Sequence, residues 1–439
     1  RLNHRAAYPG SSAFLMYSNN IWEDQYDTFI YSNANIVRGL RDAANIANVL
    51  GLPGDAANFT NRANGILAGL NAKLDWNGEN TDISLLGIVY PFETHSPVDA
   101  RAVRVMDRIN GVAPDRFGAF EPLVRFANQH INNASDWVDL IDRYWGDSYW
   151  GNSAAGPTTA GPWFLTTLWY GVYYAMRQDY NPGSVDIDNH YYRINRTKDH
   201  NGPIGFGAEQ MAPSNSLLYP GQSDFTLQTA WPNAWESMSF YVDAIMMFLD
   251  FTPDAPGNTL RIEPKLPTAW NTMTFQNLHV GSKRIDATIS KGAIHTHTFT
   301  NRTGEPVDVD TVIRIDAGVT PCLVLVNGQP VAPTSVDTNT GRVRVQAALA
   351  DGFPNAVTTI RVYRFSPADI ANTDGDPGAD GAVDNGDFTL FFAAFFSDPS
   401  DPLSAFADIA DTDGNPGSDA TVDNGDFTAF FTYFFGSCQ

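Results

Sequence analysis

The chain has 439 residues, 13% of them aromatic, and a formal net charge of −22. That length supports two or three domains and a sizeable core, while the charge excludes nucleic acid as a partner because too few cations remain to neutralise phosphates. No stretch approaches the length and apolarity of a transmembrane helix, and Cys322 and Cys438, which either pair or stay free, cannot build a disulfide framework. Trp and Tyr cluster in polar, Gly- and Asn-rich surroundings, a combination that suits sugars: rings stack on their C–H faces while amides and acids bond their hydroxyls. The acidic, Lys-poor composition agrees with a secreted or cell-surface protein or a saline habitat.

In chain order, the first informative stretch is NNIWEDQYDTF (19–29), which sets Glu23 and Asp24 directly behind Trp22. Read locally it is a solvated turn before a helix, with Asp27 as a candidate cap. Read chemically it is a carboxyl group beside an indole, tuned for proton transfer to a sugar oxygen. Residues 33–51 and 55–74 then carry apolar side chains at helical spacing, the first run ending on Gly51 with Pro53 just beyond. Further helices are predicted near 98–109 and 120–131. Two more, at 161–178 and 233–251, are apolar on more than one face and so belong between neighbours. Long Gly- and aromatic-rich loops separate these elements, and function concentrates in such loops. The pattern is that of an α-helical toroid or bundle.

Near Pro253 the period changes. Segments such as SKRIDATISKG and TTIRVYRF alternate apolar and polar residues between turn signals, which predicts an antiparallel β-domain from about 259 to 365. His295 and His297 alternate on one strand there. With no third ligand at a useful spacing, they read as surface polar groups and not as a metal site.

The last segment is an internal repeat: ADIANTDGDPGADGAVDNGDFTLFFAAFF (368–396) recurs as ADIADTDGNPGSDATVDNGDFTAFFTYFF (407–435). Each copy joins an Asp-rich loop to a helix with phenylalanines at helical spacing. No Lys or Arg follows Arg364, and an acidic cluster without counter-charge is costly unless solvated or holding a cation. Candidate oxygen ligands are Asn372, Asp374, Asp376, Asp384 and Asp387 in the first copy, and Asp411, Asp413, Asn415, Asp423 and Asp426 in the second. These loops resemble the calcium loop of an EF-hand, and specifically the paired repeats of a dockerin, with an insertion of about four residues in mid-loop. The resemblance implies structural calcium and a cohesin-like or cell-surface docking partner.

Four stretches carry the chemistry when taken together: IWED (21–24), LLGIVYPFETHSP (85–97), RYWGDSYWGNSAAGPTTAGPWFLTTLW (143–169), and GFGAEQMAPSN (205–215) followed by TAWPNAW (229–235). Inversion at an anomeric carbon needs one protonated carboxyl to donate to the leaving oxygen. It also needs one carboxylate to activate water on the opposite face. Their order and separations resemble the catalytic domain of the glucoamylase family, inverting glycoside hydrolases built on an (α/α)6 barrel, over roughly residues 21–251. The resemblance implies Glu23 as general acid, its neutral form favoured by desolvation against Trp22, and Glu209 as general base. It implies substrate contacts from Trp22, Asp24, Arg143, Tyr144, Trp163 and Trp231, with Arg143 gripping hydroxyls and Trp163 and Tyr144 offering ring faces. The lengthened SAAGPTTA segment departs from the family pattern.

The expected architecture is therefore multidomain and mainly α at first: a C-terminal portion of an (α/α)6 toroid (1–255), an antiparallel β-domain (256–366) and a dockerin-like tandem repeat (367–439). The expected activity is exo-hydrolysis of an α-glucan, releasing glucose from non-reducing ends with inversion. Dextran or trehalose specificity is the nearest alternative, and a non-catalytic carbohydrate-binding or surface-scaffold protein is the alternative of another class. Only about six helices are countable where the barrel needs twelve. The expectation is that upstream helices come from a preceding segment or a companion chain.

Overall fold

A computed structural model describes residues 5–7, 13–125, 138–147, 162–198, 209–211, 227–229, 239–292 and 294–436, and divides into two compact units, Arg1–Met247 and Phe248–Gln439. The first unit is helical with short hairpins. Strands β1 (Arg5–Ala7) and β2 (Phe14–Met16) pair, as do β3 (Ser18–Asn19) and β4 (Tyr26–Asp27). Helices α1 (Ile30–Val49) and α2 (Pro53–Asp75) follow. Gly51 sits at φ +72° and Pro53 opens α2, so one helix stops and the next starts within three residues. Asp27 does not cap α1: its carboxylate bonds the adjacent Thr28 N–H at 2.7 Å. The Ile30 N–H instead donates to Glu79 at 3.0 Å, and Glu79 is held by buried Lys73 at 2.9 Å.

A fully buried 3-10 helix, Ile83–Ile88, leads to α3 (Ala100–Ile109). The predicted helix at 120–131 does not form in its described part. Val124 instead bridges Ile141, and Ile141 bridges Trp163. Helix α4 (Phe164–Arg177) is buried at every residue from Phe164 to Tyr173, as its all-round apolarity requires. Val37, Leu70, Leu86, Val105 and Tyr173 belong to one core, so α1, α2, the 3-10 helix, α3 and α4 share it.

Helix α5 (Asp186–Lys198) was not predicted because its packed face is largely polar, with Ile187 and Ile194 its buried apolar side chains. Asp186 pairs with Arg177 on α4, His190 bonds the Ala244 carbonyl at 2.7 Å, and Arg193 lies 4.8 Å from the Tyr170 ring. Strands β5 (Gln210–Met211) and β6 (Leu227–Thr229) pair before α6 (Ser239–Met246), which stops at Met246 where the prediction ran to 251; residues 233–238 lie outside the described residues.

In the second unit β7 (Phe251–Asp254) already belongs to the β-domain, so the sheet starts before the expected boundary at 255. Strands β8 (Thr259–Ile262), β9 (Thr272–Val280), β10 (Lys283–Ser290), β11 (Ile294–Asn301) and β12 (Asp308–Arg314) follow. Then come β13 (Leu323–Val326), β14 (Gln329–Pro330), β15 (Ser335–Asp337), β16 (Arg342–Ala348) and β17 (Ala356–Tyr363). They form a six-stranded sheet ordered β14-β13-β17-β11-β10-β9 and a five-stranded sheet ordered β15-β16-β12-β8-β7. Pairing is antiparallel except between β8 and β12, which run parallel. His297 is not a surface group: it is 3% exposed on β11, and its Nδ1 lies 2.8 Å from Thr311 Oγ1 on β12, linking the two sheets. Burial lowers its pKa to about 3, so the ring is neutral. Cys322 is disulfide-bonded; the only other cysteine, Cys438, lies outside the described residues.

The repeats give α7 (Asn385–Phe395) and α8 (Asn424–Phe435). Phe391 stacks on Phe430 with centroids 3.9 Å apart and planes at 9°, at the centre of a small core with Ala368, Ala394 and Ala407. The loops are locked identically. Asp387 accepts the N–H groups of Ile370, Ala371 and Asp384, and Asp426 accepts those of Ile409, Ala410 and Asp423. Gly386 and Gly425 are required beside them, since a Cβ would stand 2.0 Å from the carbonyl of Asn372 or Asp411. Replacing Asp387 or Asp426 by Ala orphans three backbone donors and should destabilise the module by about 1–3 kcal/mol each, read as a lowered midpoint in chemical denaturation.

Candidate active site

The floor of the site is a buried charge pair. Arg143 donates to both carboxylate oxygens of Asp147, at 2.8 Å from Nε and 2.7 Å from Nη2, and both side chains are buried. The Trp163 indole N–H donates to the same carboxylate at 2.9 Å, and the Arg143 guanidinium lies 4.2 Å from the Trp163 ring centroid. Arg143 also contacts the rings of Trp22 and Tyr144, each at 5.1 Å. The chain folds this way because Arg143 and Trp163 are both pinned by backbone: Ile83 N–H donates to the Arg143 carbonyl, and Trp163 N–H to that of Ile141. The expectation that Arg143 grips sugar and Trp163 offers a ring face gives way to positioning. Trp163 is 1% exposed, and it is Tyr144, half-buried, that faces the neighbouring cavity.

Trp22, Glu23 and Asp24 lie at the tip of the β3–β4 hairpin. Asn20 closes the tip, its N–H donating to the Gln25 carbonyl and its side chain bonding Asp24 at 2.6 Å. Trp22 is tilted against Trp163 with centroids 5.8 Å apart. Glu23 adopts φ +62°, a left-handed backbone that costs a side-chain-bearing residue of order 1 kcal/mol and recurs at functional positions. The structure does not bury Glu23 under Trp22: Glu23 and Asp24 are both exposed.

Glu209 is half-buried, and its carbonyl accepts the Phe164 N–H at 3.4 Å, where α4 begins. Strand β6 returns the chain to Gln210–Met211 two residues before Trp231, which lies outside the described residues together with the SAAGPTTA segment. The hairpin bearing Glu23 and the segment bearing Glu209 are thus both anchored on the adjacent residues Trp163 and Phe164.

Asp82 was missed in the sequence. It is half-buried at the N-cap of the 3-10 helix, accepting the Ser84 N–H at 2.7 Å with one oxygen and the Trp22 indole N–H at 2.7 Å with the other. Burial raises its pKa from 3.8 to about 6, against the pull of those two hydrogen bonds. It also bridges Tyr144 through the backbone and lines a cavity of about 580 Å3 with Asn20, Gln25, Asp115, Glu121 and Tyr144. Its sequence signal was an Asp ahead of an apolar run, ordinary for a cap. Asp142, salt-bridged to Arg125 at 2.7 Å, is also held up by burial, to about 6.

Of the ten residues expected to hold calcium, six are engaged by backbone N–H groups of their own repeat. Asp384 and Asp423 are N-caps, and Asp387 and Asp426 direct both oxygens at backbone N–H groups. Asn372 and Asp411 accept the N–H groups of Asp374 and Asp376, and of Asp413 and Asn415, within their own loops. Among the described residues no group of three or more His, Cys, Asp or Glu side chains is gathered to hold a metal ion.

Residues 254–314 match the family model for "Glycosyl hydrolase family 65, C-terminal domain". No curated protein matches the chain. Among solved structures, the alpha-L-rhamnosidase from Dictyoglumus thermophilum matches with 10% identity and a TM-score of 0.41, over 76% of this chain and 31% of that one. The glucoamylase from Saccharomycopsis fibuligera matches with 13% identity and a TM-score of 0.34, over 53% of this chain and 57% of that one. The chain thus spans less than two thirds of either protein.

Asp82 gives the site a pH signature. Its pKa is higher in the folded state than the ordinary 3.8, so its contribution to stability is complete below about pH 4 and lost as pH rises through about 6. The loss amounts to about 3 kcal/mol for a shift of about two pH units. Asp82→Asn keeps the side chain neutral, so the stability of the variant minus that of the wild type should rise by about 2–3 kcal/mol between pH 4 and 7. Denaturation midpoints at four pH values test this; a constant difference would mean burial does not control this carboxyl.

Proposed function

We propose that the protein is a glycoside hydrolase whose chemistry is carried by Glu23 and Glu209. The observation that carries this reading is the anchoring of both segments on Trp163–Phe164, above a buried Arg143–Asp147 pair. The match of residues 254–314 to a glycosyl hydrolase C-terminal domain supports it. Glu23 is the general acid, giving its proton to the leaving glycosidic oxygen. Glu209 is the general base, drawing a proton from the attacking water on the opposite face, with inversion at the anomeric carbon. A sugar ring bound over Trp22 and Tyr144 supplies the cover that Glu23 lacks in the free protein, and Asp24 bonds sugar hydroxyls.

The proposed substrate is an α-glucan cleaved from its non-reducing end. Export fits the disulfide at Cys322, and among the described residues no helix is long and apolar enough to cross a membrane. The repeat pair, with Phe396 and Phe435 exposed at the C-terminal ends of its two helices, is the part proposed to attach to a cohesin-like or cell-surface partner.

Glu23→Gln and Glu209→Gln should each lower turnover about 10²–10⁴-fold with the fold retained, and the wild type should release β-glucose first. Proton NMR of the nascent product and a panel of maltooligosaccharides, isomaltose, dextran and trehalose decide the matter. An α-anomer rules out inversion, activity confined to dextran or trehalose moves the substrate, and no turnover on any of them favours a carbohydrate-binding scaffold.

A further inference from the structure

We infer that Asp82 is a positioning residue for the general acid, acting through the Trp22 indole; this rests on Glu23 being that acid. The carboxylates of the hairpin tip have no direct hold on the body of the unit among the described residues. Glu23 and Asp24 are exposed, and the bonds among Asn20, Asp24 and Gln25 lie within the tip itself. Ile21 packs against the helical core and Ser32 on α1 donates to the Asn19 carbonyl at 3.0 Å, while Trp22 makes three directed contacts: the hydrogen bond to Asp82 at 2.7 Å, the Trp163 ring at 5.8 Å and the Arg143 guanidinium at 5.1 Å. The two ring contacts are compatible with sliding, whereas the indole N–H bond fixes one direction.

Asp82 is well built for that task. One oxygen is committed to the Ser84 N–H at the start of a 3-10 helix whose six residues are all buried, so the other cannot wander. The neighbouring Ile83 N–H bonds the Arg143 carbonyl, so the residue that aims Trp22 is joined to the residue that supports it. Glu23 follows Trp22 directly, in a left-handed backbone conformation with its N–H bonded to Asn20. Fixing the indole therefore fixes the point from which the Glu23 side chain projects. A neutral amide at position 82 presents N–H where an acceptor is needed, either to Ser84 or to Trp22, and one of the two bonds is lost.

A positioned acid matters only when the leaving group needs a proton. α-D-Glucosyl fluoride does not: the C1–F bond breaks to release fluoride as water adds to C1. Asp82→Asn in the full-length protein should lower kcat on a maltooligosaccharide at least about tenfold while lowering kcat on the fluoride by less than about threefold. Trp22→Phe, which removes the N–H and leaves the Asp82 carboxyl alone, should show the same selectivity, and the double variant should lose no more than either single one. Equal losses on both substrates, or additive losses, overturn the inference. Glu23→Gln separates the two levels. If it loses activity equally on both substrates, the acid assignment falls and Asp82 with it; if it is selective and Asp82→Asn is not, only the role of Asp82 falls.

Discussion

The helical unit is organised around the buried Arg143–Asp147 pair. Ions taken from water are stable only when both are paired and their remaining donors and acceptors used. Here the guanidinium meets the carboxylate through two parallel hydrogen bonds, the strongest geometry available to such a pair. The Trp163 indole fills a further acceptor position. Removing one member of such a set leaves an uncompensated buried charge, at a cost of about 3–5 kcal/mol. The pair therefore dictates where Trp163 stands, and Trp163 sets where α4 starts. Trp22 then rests on the Trp163 ring and the guanidinium, which puts the hairpin above the floor.

This arrangement separates rigidity from reactivity. α4, the 3-10 helix and the Arg143 block are buried and closely bonded, while the carboxylates assigned to the chemistry sit on a hairpin tip and a short strand anchored to them. Catalytic geometry needs groups held to a fraction of an ångström, and supporting residues do that holding. It also needs groups a sugar can reach. An exposed Glu23 aimed by a half-buried partner satisfies both demands.

Much of this was legible in the sequence, for physical reasons that also mark the failures. Helices α1 to α4 bury apolar stripes, so their periodicity announced them, and Gly51 and Pro53 marked a helix boundary through backbone preferences that need no tertiary context. The strands alternated, and the phenylalanines at helical spacing in both copies of the repeat located α7 and α8. Helix α5 escaped because its inner face is largely Asp186, His190 and Arg193, whose burial is offset by partners on other elements. Residues 121–125 resembled a helix in composition but pair as extended chain with Ile141. In the candidate site the motif residues were visible and their division of labour was not. Arg143 and Trp163 look like substrate contacts until their burial is known, and Asp82 looks like a cap until Trp22 is seen to share it.

Carboxyl groups of opposite character meet at this hairpin. Desolvation is a property of the fold, and the fold imposes it on half-buried Asp82, whose charged form is disfavoured there although it accepts two hydrogen bonds. Access to solvent goes to Glu23, next in the chain to the Trp22 that Asp82 holds. A group that must exchange protons with substrate and water has to be reachable, and a group that must only hold an indole in place does not. The same contrast assigns roles to paired carboxyls wherever their environments differ, and here it argues that the acid beside the tryptophan and the acid bonded to it are parts of one device. The sequence showed the first because it lies next to Trp22 in the chain; the second is sixty residues away and adjacent only in the folded protein.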